Sequence, residues 1–218
     1  MAPRLYCCLE SGNCYKIRLL ASLLDIHLDE VQVDLFTNAQ KSPDFLAINP
    51  KGELPALVDG DKVFTDSSAI MVYLAGTSRD RGSETLPSSY WSSDVVEQAQ
   101  IVDWLAFAAS DIHVGLAKAR AIMAFNWPAG ASEETLSEAR RKGVASLQIL
   151  DQRLRKEEWL ALGRSTIADI AVYVYVALAP MGGVSLEPFP AVKAWLERVT
   201  KLPGYIGPDG LDQPLQNR

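Results

Sequence analysis

A small α/β domain followed by an all-helical domain is the fold class this sequence predicts. Three observations carry it. Over the first 76 residues, short strand-like runs alternate with apolar residues at helical spacing. Residues 77–93 are rich in Ser, Gly, Pro and charge, the composition of a linker. Beyond them, apolar residues recur at helical spacing in every long segment. The predicted bounds are 1–77 for the α/β domain, 78–93 for the linker, and 94–218 for the helical domain with an irregular C-terminal tail.

The elements follow in order. Leu5 to Leu9 is short and apolar, like a buried strand. From Gly12, a helix is marked by Ile17, Leu20, Ala21 and Leu24, with Lys16 and Arg18 between them. Val31 and Val33 alternate with polar neighbours, so Leu28 to Leu35 reads as a second strand. Ser42-Pro43 opens a short helix through Ile48, with proline at its first position. Asn49-Pro50-Lys51-Gly52 is a turn. "LPALVDGDKVFTDS" reads as two strands around Asp59-Gly60-Asp61, a hairpin signal. Ser67 to Ala75 is helical, with Gly76 as its stop. The order β-α-β-α-β-β-α makes the first two strands parallel and the last two antiparallel.

In the second domain, one helix is marked by Val95, Ala99, Val102 and Ala106. A second is marked by Leu136, Gly143, Leu147, Leu150 and Leu154. Ile167 to Leu178 is apolar on nearly all faces, which predicts a central helix. Ala191 to Val199 is a final amphipathic helix, and Pro203 to Arg218 reads as an irregular tail.

Composition narrows the function. Hydrophobic residues make up 48% of the chain, so it is expected to fold. A net charge of −6 without a basic run argues against a nucleic-acid partner. No apolar run reaches the ~18 residues of a membrane span. Met1-Ala2-Pro3-Arg4 lacks a signal-peptide pattern. Three cysteines, two of them adjacent, argue against a disulfide framework and for a reducing compartment. A cytoplasmic protein is expected, with no metal.

Ser11-Gly12-Asn13 begins the first helix. Ser11 and Asn13 can simply cap it. Alternatively, the positive helix end holds an anion there. Lowering a thiol pKa by two units takes about 2.7 kcal/mol. A helix end supplies ~0.3–1 kcal/mol, or up to ~2 when partly buried. A hydroxyl hydrogen bond to a charged group adds ~1.5–3 kcal/mol. Together these suffice for a bound thiolate. Ser11 as a nucleophile needs a base, and the chain has two histidines and no G-x-S-x-G elbow around Ser11.

Leu54-Pro55 precedes strand-like sequence. A trans edge proline is one reading. A cis bond that presents the Leu54 backbone to an extended peptide is the other. Asp66-Ser67 either caps the third helix or matches an α-amino acid head group, with the acid on the ammonium and the helix start on the carboxylate. Cys7 and Cys8 point to opposite faces of the first strand. Cys14, in the first helix, is a possible redox thiol, but Cys-x6-Cys is neither a metal nor a C-x-x-C spacing, and packing is the favoured reading for all three.

In order, these features resemble the glutathione transferase family over nearly the whole chain. "SGNCYKIRLLASLL", "FLAINPKGELPAL" and "FTDSSAIMVYLA" are similar to its thioredoxin-like N-terminal domain. "RSTIADIAVY" is similar to the capping-box motif of its C-terminal helical bundle, with Thr166 and Asp169 as the reciprocal pair. The Ser-x-Asn start is nearest the serine-type bacterial, fungal and plant branches, including nu-like, Ure2-like and phi-like members.

The resemblance implies a glutathione site. Leu54 would pair its backbone with the cysteinyl part, with Pro55 cis. Asp66 and Ser67 would hold the γ-glutamyl head, and Lys41 and Lys51 the glycine carboxylate. Ser11 would face the sulfur, with Asn13 beside it. Two departures stand out. Glu53 occupies a position where many members carry Lys or Gln, and an acid there opposes a carboxylate unless it points away. Tyr6 is one position off the register of the tyrosine used by other classes, so it should face away.

For the second substrate, the first long helix offers Trp104, Phe107, Ala108, Asp111 and Ile112 at spacings that can share one face, followed by Trp127. Trp104 and Phe107 serve equally well as core. His113 does not share a face with Asp111 and reads as a surface or hydrogen-bonded histidine rather than a catalytic base.

Three functions follow from the resemblance. One is attack of the glutathione thiolate on an electrophilic, hydrophobic small molecule. Another is cis–trans isomerisation of a conjugated double bond with glutathione as cofactor, as in fungal secondary metabolism. The third is a non-catalytic glutathione-binding module. A reductase using Cys14 ranks below these. The family also implies a homodimer.

Overall fold

The computed structural model describes residues 2–78, 90–208 and 210–211. It divides into two compact units, Met1–Ser88 with Pro203–Ile206, and Ser89–Leu202 with Gly207–Arg218. Most of the predicted linker (79–89) and the last part of the predicted tail (212–218) lie outside the described residues.

In the first unit, β1 (Arg4–Cys7), α1 (Gly12–Leu23), β2 (Asp29–Gln32), α2 (Pro43–Ile48), β3 (Ala56–Asp59), β4 (Lys62–Phe64) and α3 (Ser67–Thr77) follow the expected order. The sheet order is β2-β1-β3-β4. β1 and β2 are parallel, and β3 runs antiparallel to β1 and to β4. The first two strands are shorter than the sequence suggests. β1 stops at Cys7 because the chain turns at Leu9-Glu10 to enter α1. β2 stops at Gln32, although the Val33 N–H still reaches the Cys7 carbonyl at 2.8 Å.

Gly76 does not end α3. The helix continues to Thr77, and Gly76 keeps helical backbone rather than the left-handed conformation of a glycine stop. The Thr77 and Ser78 hydroxyls close this end on the carbonyls of Tyr73 and Ala75.

The period of two along β1 sends Leu5 and Cys7 to one face, both fully buried. Tyr6 goes to the other face, where it joins Val33, Phe45 and Ala56. Its ring meets that of Phe45 edge-on at 6.0 Å. α1 and α3 contribute Ile17, Leu20, Ile70, Met71 and Leu74 to the core, all fully buried. Lys16 is buried with them at 3% exposure, although it reads as a polar interruption in the sequence. It lies one turn after Gly12 and one turn before Leu20, on the buried side of α1.

In the second unit, α4 (Val95–Phe107), a π-helical stretch (Ala108–Ala117) and α5 (Lys118–Phe125) run on from one another. The first long helix read from the sequence covers α4 and runs on through Ile112 into the π-helical stretch, whereas α5 has no counterpart in that reading. The stripe that marks α4 in the sequence is its outer side. Val95 is 73% exposed and Val102 46%, whereas Ile101 and Leu105 are buried. α6 (Glu133–Leu154) buries the expected Leu136, Gly143, Leu147, Leu150 and Leu154. A Cβ on Gly115 would lie 2.7 Å from the Gly143 nitrogen, so the π-helical stretch crosses α6 at backbone contact.

α7 (Ile167–Ala177) is buried on nearly every side, as its pattern predicts, and α8 (Pro190–Thr200) completes the unit. The capping box forms. The Ala168 N–H donates to Thr166 Oγ1 at 3.2 Å and the Thr166 N–H to Asp169 Oδ2 at 3.0 Å. Asp169 Oδ1 also accepts the Leu160 N–H and the Trp195 indole N–H, at 3.1 and 3.0 Å. Burial pushes the Asp169 carboxyl up to about 6, against the pull of these donors.

Candidate functional site

Strand direction gathers the first unit's candidates at one end of its sheet. β1 ends toward Ser11. β3 runs the other way, with Tyr6 opposite Ala56, so Leu54-Pro55 lies beside that same end. β4 reverses again, with Phe64 opposite Leu57, and delivers the chain to Asp66. The N-termini of α1 and α3 are therefore both brought to the end that carries Leu54.

Ser11 is the N-cap of α1, and its Oγ accepts the Cys14 N–H at 3.3 Å. Asn13 lies inside the first turn rather than at the cap. The N-cap of α3 is Asp66, whose Oδ1 accepts the N–H groups of Ser68 and Ala69 at 2.8 and 3.2 Å. Ser67 is the first residue of α3 and is buried. The capping expectation therefore holds for Ser11 and Asp66, while Asn13 sits within the helix rather than capping it.

The Leu54–Pro55 bond is cis. The turn before it is tightly held. Asn49 is fully buried. Its side-chain amide donates to the Glu53 carbonyl at 2.7 Å and accepts the Lys51 N–H at 3.1 Å. Its carbonyl accepts the Gly52 N–H at 2.8 Å. Gly52 has φ +60, and a Cβ there would sit 2.7 Å from Lys41 Nζ and 2.9 Å from the Gln40 carbonyl oxygen. Only glycine satisfies both constraints. Lys41 Nζ donates to the Lys51 carbonyl at 3.0 Å. An ammonium has three donors, so this bond leaves Lys41 able to meet a carboxylate as well. Lys51 is exposed.

Sequence reasoning missed two polar residues here, Lys16 and Asn49. Burial lowers the Lys16 ammonium to about 8, and the Asp66 carboxylate partly offsets the drop. The spacing Gly12-Lys16-Leu20 is the signal that could have found Lys16. For Asn49 the signal is an Asn two residues before a turn N–H, the pattern of an Asx-turn.

The cysteines are all buried. Burial pushes Cys7 and Cys8 up to about 12 and Cys14 up to about 11, although the Ser11 hydroxyl and the Cys8 N–H pull Cys14 down. The Cys14 sulfur accepts the Cys8 N–H at 3.4 Å. A neutral, enclosed thiol is a packing group, and Cys14 lacks the exposed thiolate a redox role needs.

In the second unit, the π-helical stretch breaks the helical spacing assumed for the acceptor residues. Trp104 and Phe107 end α4 as a half-buried edge-to-face pair, centroids 5.4 Å apart. Ala108 and Ile112 point into the unit's core, at 2% and 0% exposure. Asp111 is exposed and accepts the Ser110 hydroxyl at 2.6 Å. His113 is exposed, and Trp127 is 58% exposed. An open hollow of about 620 Å³ lies elsewhere in this unit, among Pro180, Val184, Leu186, Lys193 and Leu196. It holds none of the candidate residues, so its size carries no weight against the arrangement in the first unit.

Residues 1–76 match the family model "Glutathione S-transferase, N-terminal domain", and residues 110–203 match "Glutathione S-transferase, C-terminal domain". The chain belongs to the glutathione transferase family. It is 30% identical over 211 residues to Glutathione S-transferase 3 of Zea mays, covering 94% of this chain and 92% of that one. A crystal structure of a possible glutathione S-transferase from Rhodopseudomonas palustris superposes with a TM-score of 0.82 at 31% identity, covering 96% and 90% of the two chains. Ure2p in complex with glutathione superposes with a TM-score of 0.83 at 21% identity, covering 93% and 91%, a likeness of fold. The two units are the thioredoxin-like and helical domains of this family's fold.

Proposed function

We propose that the first unit binds glutathione and stabilises its thiolate at the start of α1 for attack on an electrophilic, hydrophobic small molecule. The observation that carries this is the meeting of two capped helix N-termini, Ser11 on α1 and Asp66 on α3, at the sheet end that holds Leu54. The glutathione transferases this chain resembles, and the glutathione held by the structurally similar Ure2p, support the reading. Asp66 takes the γ-glutamyl ammonium with its remaining carboxylate capacity, and Ser67 at the helix start takes the carboxylate. The Leu54 backbone pairs with the cysteinyl unit, and Lys41 and Lys51 attract the glycine carboxylate. Ser11 donates its hydroxyl proton to the sulfur, with Asn13 in the same anion site.

Trp104, Phe107 and Asp111 present accessible surface to an acceptor, while Ala108 and Ile112 support them from beneath. The assembly proposed is a homodimer. Exposed Val95, Val96 and Val102 on α4 suit burial against a second copy. Among the described residues, no helix is long and apolar enough to cross a membrane.

Product mass separates the chemistries. With glutathione and an electrophile such as a chloronitrobenzene, conjugation adds one glutathione to the acceptor, less the leaving group. A conjugated alkene that changes retention at unchanged mass means isomerisation instead. Glutathione binding without turnover of any electrophile overturns the transferase reading in favour of a binding module.

A further inference from the structure

We infer that Asn49 is a positioning residue for glutathione, aiming the Leu54 N–H through the peptide group that precedes it. The inference rests on the proposed glutathione site. The Asn49 side chain never needs to touch the ligand. It is fully buried, and it bonds at both ends of the Lys51–Glu53 turn.

The decisive contact is the 2.7 Å bond from the Asn49 amide to the Glu53 carbonyl. That carbonyl belongs to the same peptide unit as the Leu54 N–H. The Glu53–Leu54 peptide is not among the cis bonds of the chain, and a trans peptide is planar with its C=O and N–H opposed. Holding the oxygen toward Asn49 therefore points the Leu54 N–H away from Asn49. Among the described residues, no group accepts that N–H. A donor held in one direction without a protein partner is prepared for an external acceptor, here a carbonyl of the bound tripeptide. Lys41, bonded to the Lys51 carbonyl, braces the same turn from its exposed side.

The same geometry deals with the acid at position 53. Its backbone, not its side chain, is the part fixed toward the interior. Glu53 can therefore occupy this position without a carboxylate being forced into the turn.

The test compares wild type with Asn49→Asp, and uses Asn49→Ala as a second variant. Asn49→Asp keeps the size and the acceptor for the Lys51 N–H. At neutral pH it sets a carboxylate oxygen against the Glu53 carbonyl in place of a donor. The probe is reduced glutathione, measured by calorimetry, with the KM of each substrate and kcat taken separately. Asn49→Asp should weaken glutathione about tenfold at pH 7.5, as expected for one well-aligned bond that the ligand no longer finds. The KM for the electrophile should stay within about twofold of wild type. Protonation restores an O–H donor toward Glu53, so the affinity ratio to wild type should shrink toward one as the pH falls to about 5. A folded Asn49→Asp protein with wild-type glutathione affinity overturns the inference. So does equal weakening of both substrates, or a deficit that does not change with pH. Where Asn49→Ala folds, it should show the same selective loss without rescue at low pH, and a pH rescue in that variant counts against the role. A wild-type protein that binds no glutathione overturns the site reading itself, together with this inference.

Discussion

The Ser11 hydroxyl accepts the Cys14 N–H at 3.3 Å, so the residue that starts α1 is fixed by its cap. A hydroxyl also has a proton to give. The Cys14 thiol beside it is neutral and therefore a weak acceptor, held up at about 11 by burial. A thiolate brought by a ligand is the stronger acceptor and should take that proton.

Cys14→Ala should therefore leave turnover nearly unchanged while lowering stability by about 1–2 kcal/mol for the lost sulfur contacts. Steady-state rates and a denaturant melt check this, and a stable but inactive variant would return Cys14 to the chemistry. Iodoacetamide should label all three cysteines of the native protein slowly, because none is an exposed thiolate. Intact mass over time reads this directly.

Asp66 both caps α3 and is proposed to bind an ammonium, and two variants separate these roles. Asp66→Asn keeps a side-chain oxygen for the Ser68 and Ala69 N–H groups and loses the charge. It should raise the KM for glutathione about tenfold or more, with kcat at saturation within about threefold and little change in melting temperature. Asp66→Ala should add a stability loss of about 1 kcal/mol. Equal losses in kcat and affinity for Asp66→Asn would contradict a binding role.

Lys16 predicts an alkaline rise in stability. Its pKa is depressed to about 8 in the folded state from about 10.5 unfolded, so the unfolded chain holds the extra proton between these values. Stability should increase with pH through that window, by on the order of 3 kcal/mol from this group. The three buried thiols pull the other way above about 9, so the readout is the difference: wild type should gain on Lys16→Met as the pH rises from 7.5 to 10.5 in chemical denaturation. An unchanged slope in the variant would mean that Lys16 is not the source.

Asp169 gives the opposite sign. Its folded pKa of about 6 lies above the ordinary 3.8, so the folded state holds the proton more tightly. Its contribution is largest below about 3.8 and is lost as pH rises through about 6. Asp169→Asn removes the titration but turns an N–H donor toward Thr166 or Leu160. It should cost about 2–4 kcal/mol at pH 7, and the gap to wild type should widen toward acid as wild-type Asp169 takes up its proton. A melt series from pH 4 to 7 tests both the loss and its pH trend.

The fold was legible where a local pattern had one structural meaning. The β-α-β-α-β-β-α order, the Thr166–Asp169 box and the buried stripe of α6 all follow from spacing and capping chemistry. Failures came where a pattern had two meanings. Val95, Ala99, Val102 and Ala106 form an apolar stripe, but periodicity does not say whether a stripe faces inward, and here Ile101 and Leu105 do. The π-helical stretch has no spacing signal, yet it decides that Ala108 and Ile112 lie in the core while Asp111 is exposed. In the candidate site, Ser11 and Asp66 were readable because caps are local. Lys16 and Asn49 were not, because their partners are set by how α1 meets α3 and how the turn closes on itself.

The central claim is that Ser11 stabilises a borrowed thiolate. Its most direct test is the ultraviolet absorbance of bound glutathione thiolate against pH, in wild type and Ser11→Ala. The wild-type complex should titrate well below the ~8.5 of a free thiol, and Ser11→Ala should move the midpoint up by about one to two units. A midpoint that does not move in a variant that still binds glutathione would contradict the account.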